Sequence, residues 1–200
     1  MERWSPRLAF AAAVLFVGHA VVRGLGAFTA VPPPVDVFGP MGYVAATLAL
    51  VGLSPSIVDE TPVLGRLATA VAAVTGPAWA LLVARSVADA TGLFTPRAAV
   101  LPAVLPAVVI LSTLLLYLLF AVACFRAGPG SRRLGLLLFA PVVLLGFLVV
   151  GGVVLSTASR AGPVVVGSGL AIAHGAIGWE LSTSRPGTDH VRRADGATGE

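Results

Sequence analysis

The 200-residue sequence contains no lysine, no asparagine and no glutamine, and all 13 of its basic residues are arginine. No side-chain amide is therefore present to hydrogen-bond between helices or to coordinate a solute. The single cysteine, Cys124, excludes an intrachain disulfide and any metal site built from cysteines. Only 11% of the residues are charged, against about 25% in an ordinary soluble domain, so most of the surface must face an apolar solvent.

Motifs of the common enzymes are also missing from the sequence. It has no Walker A loop, no G-x-G-x-x-G, no G-x-S-x-G and no H-E-x-x-H. No catalytic residue and no metal ligand are predicted. The formal net charge is +4, but the arginines lie at the ends of apolar runs. They therefore indicate membrane topology, and nucleic acid is not an expected partner.

Long apolar runs fill the rest of the chain, in which 57% of the residues are hydrophobic. A helix needs about 20 residues to cross the hydrocarbon core of a bilayer. The runs predict an all-α, polytopic transmembrane bundle of about six helices over residues 1–182. The predicted spans are 8–28, 37–57, 63–84, 98–124, 134–156 and 162–182. Residues 183–200 are polar and predict a disordered cytoplasmic tail.

The first apolar run is the shortest and has two interpretations. Residues 8–22 reach across a bilayer only if the helix continues past Arg23 toward Phe28. The alternative is a cleaved signal peptide, because Arg3 and Arg7 precede the run. A retained helix is favoured, since bulky Phe28 occupies the −3 position of the best cleavage site.

Arginine counts predict the orientation of the bundle. Six spans place nine arginines on the side of the N-terminus and four on the opposite side. Cytoplasmic segments carry the excess of basic residues in membrane proteins. Both termini are therefore predicted to lie in the cytoplasm, in a multi-pass protein of the cytoplasmic membrane.

The sixth predicted span carries the first candidate functional residue, His174. Gly167, Ala171 and Gly175 form a small-xxx-small pattern on this span, which is typical of close helix packing. Gly167, Ala171, His174 and Gly178 also share one face at 3- and 4-residue spacing, so His174 is predicted to point into the bundle. It could serve as a ligand or proton relay. The structural alternative, a neutral histidine bonded to a backbone carbonyl or a Ser/Thr hydroxyl, is favoured.

His19 is the second candidate, four residues before Arg23 and on the same helix face. If the first and sixth spans are neighbours, His19 and His174 could meet. Paired histidines on different helices can ligate a haem iron. Two histidines alone are a weak pattern, so no cofactor is predicted and haem remains the alternative.

Arg66 and Glu180 form the third candidate feature. Both fall at the cytoplasmic ends of their spans, where an isolated charge is costly unless it is paired or reaches the headgroups. A structural ion pair between them is predicted, with Asp59 or Glu60 as competing partners for Arg66.

Three short stretches carry a resemblance to other proteins. They are the segments at 39–43 (GPMGY), at 60–66 (ETPVLGR) and at 175–181 (GAIGWEL). In these stretches the chain resembles uncharacterised small multi-spanning membrane proteins common in haloarchaea and actinobacteria. The resemblance implies a prokaryotic helical bundle. It brings no known activity and no functional residues.

Three function classes follow from these observations. An accessory or interaction protein of the membrane is favoured, because intramembrane polar groups are scarce and small-residue faces suit helix packing. Its expected partners are the lipid bilayer and another membrane protein or a second copy of itself. A small-solute transporter or channel is the alternative, and a membrane-embedded haem or redox protein is the third.

Overall fold

A computed structural model describes residues 4–29, 36–92, 104–128, 131–153 and 162–183, and these residues form helices and short connections only. The elements in chain order are α1 (Ser5–Phe28), α2 (Phe38–Val51), α3 (Ser54–Glu60), α4 (Pro62–Ala90), α5 (Val104–Ala127), α6 (Arg132–Val153) and α7 (Gly162–Thr183). The all-α prediction is confirmed for these residues. The predicted tail beyond Thr183, and residues 98–103 and 154–156 of two predicted spans, lie outside the described residues.

Five of these helices, α1, α4, α5, α6 and α7, are long and apolar enough to cross a membrane. The helices α2 and α3 together give a sixth candidate span, bent by 44° at the break between them. Large apolar side chains such as Val14, Val143 and Ile172 are exposed on the outer faces of the helices. A belt of this kind is typical of a surface that faces lipid.

The spanning helices close into a ring. Along the chain, α1 packs on α2, α2 on α4, α4 on α5, α5 on α6 and α6 on α7, and α7 returns to α1. Phe10 lies at Gly178 and Ala20 lies at Gly167, so α1 and α7 are antiparallel. The beginning of α1 and the end of α7 therefore lie at the same end of the bundle.

The second predicted span, 37–57, is two helices instead of one. Leu53 N–H donates to the Leu50 carbonyl, three residues back, where a regular helix would use Ala49. Pro55 has no N–H, so the Val51 carbonyl loses the donor that a continuous helix would supply. Gly52 adds backbone freedom at the same point, and the chain bends there.

Helix α4 passes through Pro77 and continues to Ala90, six residues beyond the predicted end at 84. It is the longest helix and spans about 43 Å at 1.5 Å per residue. The Arg85 and Asp89 side chains on this extension form an exposed i,i+4 ion pair of 3.6 Å. Such a pair suits the polar region at the edge of a membrane.

Candidate functional site

A cluster of three charged or titratable side chains joins α1 to the start of α2. His19 Nδ1 lies 2.5 Å from Asp36 Oδ2, and Arg23 Nε donates to the same oxygen over 3.1 Å. The second oxygen, Asp36 Oδ1, accepts the Gly39 backbone N–H over 3.2 Å. Asp36 therefore binds a backbone N–H in the first turn of α2 and, at the same time, pairs with two basic side chains of α1. We call His19, Arg23 and Asp36 the acid–base cluster.

The ring of His19 is held between two glycines on neighbouring helices. A Cβ added at Gly39 of α2 would come within 2.7 Å of His19 Nδ1, and one at Gly167 of α7 within 2.9 Å of His19 Cδ2. Both distances are too short for a real side chain. The sequence thus leaves room for His19 at the junction of α1, α2 and α7 by placing glycine on each facing helix.

Burial is uneven across the acid–base cluster. The Asp36 side chain is 8% exposed, whereas the Arg23 side chain is 50% exposed. Burial by itself opposes ionisation of Asp36. The hydrogen bond and charge of His19, the Gly39 N–H and the Arg23 charge outweigh burial, and together they hold the pKa of the Asp36 carboxyl below its ordinary value. The cluster is therefore a carboxylate shared by two basic side chains, with Arg23 at its open edge.

His174 lies inside the bundle and uses both of its ring nitrogens. Nδ1 is 2.7 Å from the Leu170 carbonyl oxygen, which can only accept, so Nδ1 carries the proton. Nε2 is then the acceptor, and the Tyr117 hydroxyl donates to it over 2.6 Å. The structural alternative for His174 predicted a bond to a backbone carbonyl, and the Leu170 carbonyl makes that bond. The second partner is a tyrosine of α5 instead of a serine or threonine.

Aromatic rings continue from His174 across the interior at one level. Phe16 of α1 lies 5.0 Å from the His174 ring and 4.9 Å from the Tyr43 ring, between ring centroids. Tyr43 stacks on Trp79 at 4.2 Å. We call Phe16, Tyr43, Trp79, Tyr117 and His174 the aromatic layer.

A hydrogen bond closes the aromatic layer on its far side. Trp79 Nε1 of α4 donates to Thr113 Oγ1 of α5 over 2.8 Å. Thr113 lies one helical turn before Tyr117, which returns to His174. Side chains of α1, α2, α4, α5 and α7 therefore meet in one continuous layer, and its buried hydrogen-bonding groups at Trp79, Thr113 and His174 have partners.

The structure does not bring His19 and His174 together, although α1 and α7 are neighbours as the haem hypothesis requires. His19 lies against Gly167, which is seven residues from His174 and so about 10 Å away along the axis of α7. Both nitrogens of His174 are already hydrogen-bonded. Among the described residues, no group of three or more His, Cys, Asp or Glu side chains could hold a metal ion.

The structure does not place Arg66 and Glu180 on neighbouring helices. Arg66 is exposed on α4, and Glu180 is half-buried on α7. These two helices are separated around the ring by α5 and α6 on one side, and by α1 and α2 on the other, so the structure gives no support to an ion pair between them. Ion pairs among the described residues include those of Asp36 with His19 and Arg23, and that of Arg85 with Asp89.

The small-residue face of α7 differs from its prediction at one position. Gly167 and Ala171 are buried, and Gly167 packs closely on α1. A Cβ at Gly175, in contrast, would meet nothing within 4 Å. Gly178 takes its place, because a Cβ there would come within 3.2 Å of the Phe10 ring. The contact face is therefore the predicted face of Gly167, Ala171, His174 and Gly178, and the small-xxx-small pattern that ends at Gly175 does not describe it.

Alanine substitutions at Gly167 and Gly175 are expected to change stability in opposite directions. Gly167→Ala must displace His19 from its place between two helices, and overpacking of this kind costs about 1–3 kcal/mol. We expect a thermal midpoint several degrees below that of the native protein. Gly175→Ala enters open space and gains helix propensity of about 1 kcal/mol, so its midpoint rises slightly. Thermal unfolding in one detergent measures both, and a drop for Gly175→Ala equal to that for Gly167→Ala would contradict the assignment of the contact face.

Sequence reasoning missed Asp36 and Tyr117, which are the partners of the two candidate histidines. Asp36 immediately precedes the predicted span 37–57 and was assigned no role. One signal was available: Asp36 lies three residues before Gly39, a spacing at which a carboxylate can cap a helix. For Tyr117 the sequence holds no comparable signal, because it lies 57 residues from His174.

Fold and site together define a multi-pass helical membrane protein with a polar cluster at one end and an aromatic layer in its interior. The chain matches no protein-family model, no curated protein and no solved structure. The resemblance to haloarchaeal and actinobacterial membrane proteins therefore stays a prediction.

Proposed function

We propose that this protein is an accessory or interaction protein of the cytoplasmic membrane, which acts through its lipid-facing surface. The observation that carries the proposal is the aromatic layer. Its aromatic side chains come from five of the helices and contact one another in the interior. Two hydrogen bonds, Tyr117–His174 and Trp79–Thr113, pair polar groups of different helices in this layer. An interior built this way stabilises the bundle, and the hydrogen-bonded atoms of Trp79, Thr113, Tyr117 and His174 are not free to bind a solute.

Orientation and span number belong to the same proposal. Because α1 and α7 are antiparallel, the start of α1 and the end of α7 lie at the same end of the bundle. This supports an even number of membrane crossings. Nine arginines then lie on the side of the termini and four opposite, which favours termini in the cytoplasm. Reporter fusions at the two termini test this, and reporters on opposite sides would contradict it.

Retention of α1 is part of the proposal as well. Ala9, Ala12 and Phe16 of α1 are completely buried against the rest of the ring. His19 and Arg23 also hold the start of α2 through Asp36. Cleavage of this segment as a signal peptide would open the ring and expose the aromatic layer, so we propose that α1 remains in the mature protein.

Site-directed photocrosslinking in native membranes tests the interaction role. A photoreactive residue is placed at one lipid-facing position on each of four helices, Val14, Val74, Phe147 and Ile172, and at buried Leu145 as the matched control. We expect one helix face to give a product of fixed added mass, either a second copy or one other polypeptide. Lipid adducts alone from all four exposed positions, in correctly folded protein, would contradict the proposal.

A small-solute transporter is the second candidate, and the broken second span favours it. Discontinuous membrane helices commonly form solute and ion sites in transporters. The acid–base cluster would then lie at one mouth of the bundle. Uptake into proteoliposomes that Asp36→Asn abolishes and Asp89→Asn preserves would favour transport. A redox role would require visible absorption by the purified protein, and a colourless preparation would contradict it.

A further inference from the structure

Two serine hydroxyls stand out from the other buried polar groups. Within the described residues, Ser5 Oγ and Ser54 Oγ are the buried side-chain oxygens that have no hydrogen-bond partner. Ser5 is 1% exposed and Ser54 is 7% exposed. Buried hydroxyls without any partner are rare in folded proteins, and each usually indicates a bound water, ion or ligand.

Both hydroxyls belong to the break in the second span. Ser54 is the first residue of α3, immediately after the bend. Ser5 begins α1, and its hydroxyl occupies the place where a side chain at position 52 would lie, so only glycine fits there. The N-terminus of α1 therefore packs directly on the break between α2 and α3.

The backbone contributes further polarity at the same place. Pro55 removes the N–H donor that a continuous helix would offer to the Val51 carbonyl. The break thus gathers two unpartnered hydroxyls and a backbone carbonyl that Pro55 deprives of its helical donor.

The charges of the two helix ends decide which partner fits. The C-terminus of α2 carries partial negative charge, whereas the N-termini of α1 and α3 carry partial positive charge, and all three ends meet here. A bare cation is repelled by the two N-termini, and an anion is repelled by the C-terminus. Water is uncharged, donates to carbonyl oxygens and accepts from hydroxyls, so it satisfies all of these groups.

We propose that the break between α2 and α3 is a hydrated crevice, in which water molecules bind Ser5 Oγ and Ser54 Oγ. The crevice makes the bent span a second buried polar site, apart from the hydrogen-bonded groups of the aromatic layer. The inference is independent of the proposed function, because a hydrated break is compatible with either an interaction protein or a transporter.

Alanine substitution distinguishes a hydrated hydroxyl from a dry one by the sign of its effect. If water binds the serines, Ser5→Ala and Ser54→Ala each lose a hydrogen bond, and the thermal midpoint should fall by about 2–4 °C. If the hydroxyls are dry, alanine removes an unsatisfied group, and the midpoint should stay or rise. Ser56→Ala is the control on the same segment, because the Ser56 hydroxyl is exposed and donates to the Leu53 carbonyl.

Thiol reactivity gives a second measurement that does not depend on stability. Ser5→Cys and Ser54→Cys should react with a small cationic methanethiosulfonate at least about tenfold faster than Ala12→Cys, because only a thiol in contact with water forms the reactive thiolate. Ala12 is completely buried on α1 and serves as the matched dry position, and the native protein gives the background from buried Cys124.

The two measurements together distinguish a hydrated crevice from a dry one. Lower midpoints for both alanine variants together with fast labelling of both cysteines support the crevice. Unchanged or higher midpoints with labelling no faster than Ala12→Cys overturn it. A midpoint that rises specifically with sodium or potassium over choline at equal ionic strength also overturns it, because the occupant would then be a cation.

Discussion

Replacing Asp36 with asparagine is expected to lower the thermal midpoint of the detergent-solubilised protein by roughly 5–10 °C. Asparagine keeps the size of the side chain but removes the negative charge that His19 and Arg23 share. Breaking a mostly buried charge cluster by removing one partner costs about 3 kcal/mol, since the remaining basic groups lose their counter-charge.

Asp89→Asn is the matched control for this substitution. Asp89 also pairs with an arginine, but the Arg85 and Asp89 side chains are 44% and 49% exposed. Exposed pairs contribute about 0–1 kcal/mol, so the midpoint of this variant should move by about 4 °C or less. Equal losses for the two variants would show that Asp36 is no more important than a surface carboxylate.

Acid should remove the contribution of Asp36. Its pKa in the folded protein lies below its ordinary value of 3.8, so the stabilisation is fully present above that value and is lost as the pH falls through the lower, folded-state pKa. The gap in midpoint between the native protein and Asp36→Asn should therefore close as the pH falls below about 3.8. A gap that stays as wide in strong acid as it is above that pH would contradict this assignment.

Replacing His174 with alanine is expected to lower the thermal midpoint by roughly 10 °C. The substitution leaves a cavity beside Phe16 and removes the acceptor of the buried Tyr117 hydroxyl. Each effect by itself costs about 1–3 kcal/mol or more, and both act in the same layer.

A substitution cycle separates the cavity from the lost hydrogen bond. His174→Leu keeps most of the volume but strands the Tyr117 hydroxyl, and Tyr117→Phe strands His174 Nε2. The double variant leaves neither group without a partner, so its loss in thermal midpoint should be smaller than the sum of the two single losses. Additive losses would mean that the 2.6 Å contact contributes no coupling. Interhelical hydrogen bonds in membranes contribute about 0.6 kcal/mol on average, which sets the scale of the expected coupling.

Most of the helix boundaries could be predicted because a bilayer demands long apolar runs. The predicted span 8–28 agrees with α1 (Ser5–Phe28), and 162–182 agrees with α7 (Gly162–Thr183). The break at Gly52 was missed because no charged residue interrupts the apolar run there, although Gly52 and Pro55 both disfavour a continuous helix. The small-xxx-small pattern also suggested Gly175 as a contact residue, whereas the contact is made by Gly178, which shares the face of His174.

The sequence by itself determined the class of protein and the approximate positions of its helices, because composition and run length decide whether a segment prefers lipid to water. Only the tertiary structure decided the partners of the two histidines. Asp36 lies 17 residues from His19, and Tyr117 lies 57 residues from His174. These pairs form because α2 packs back on α1, because α5 and α7 meet in the interior of the ring, and because each helix is rotated to present one face inward. That rotation depends on the packing of all the neighbouring helices together, which no local pattern in an apolar chain records.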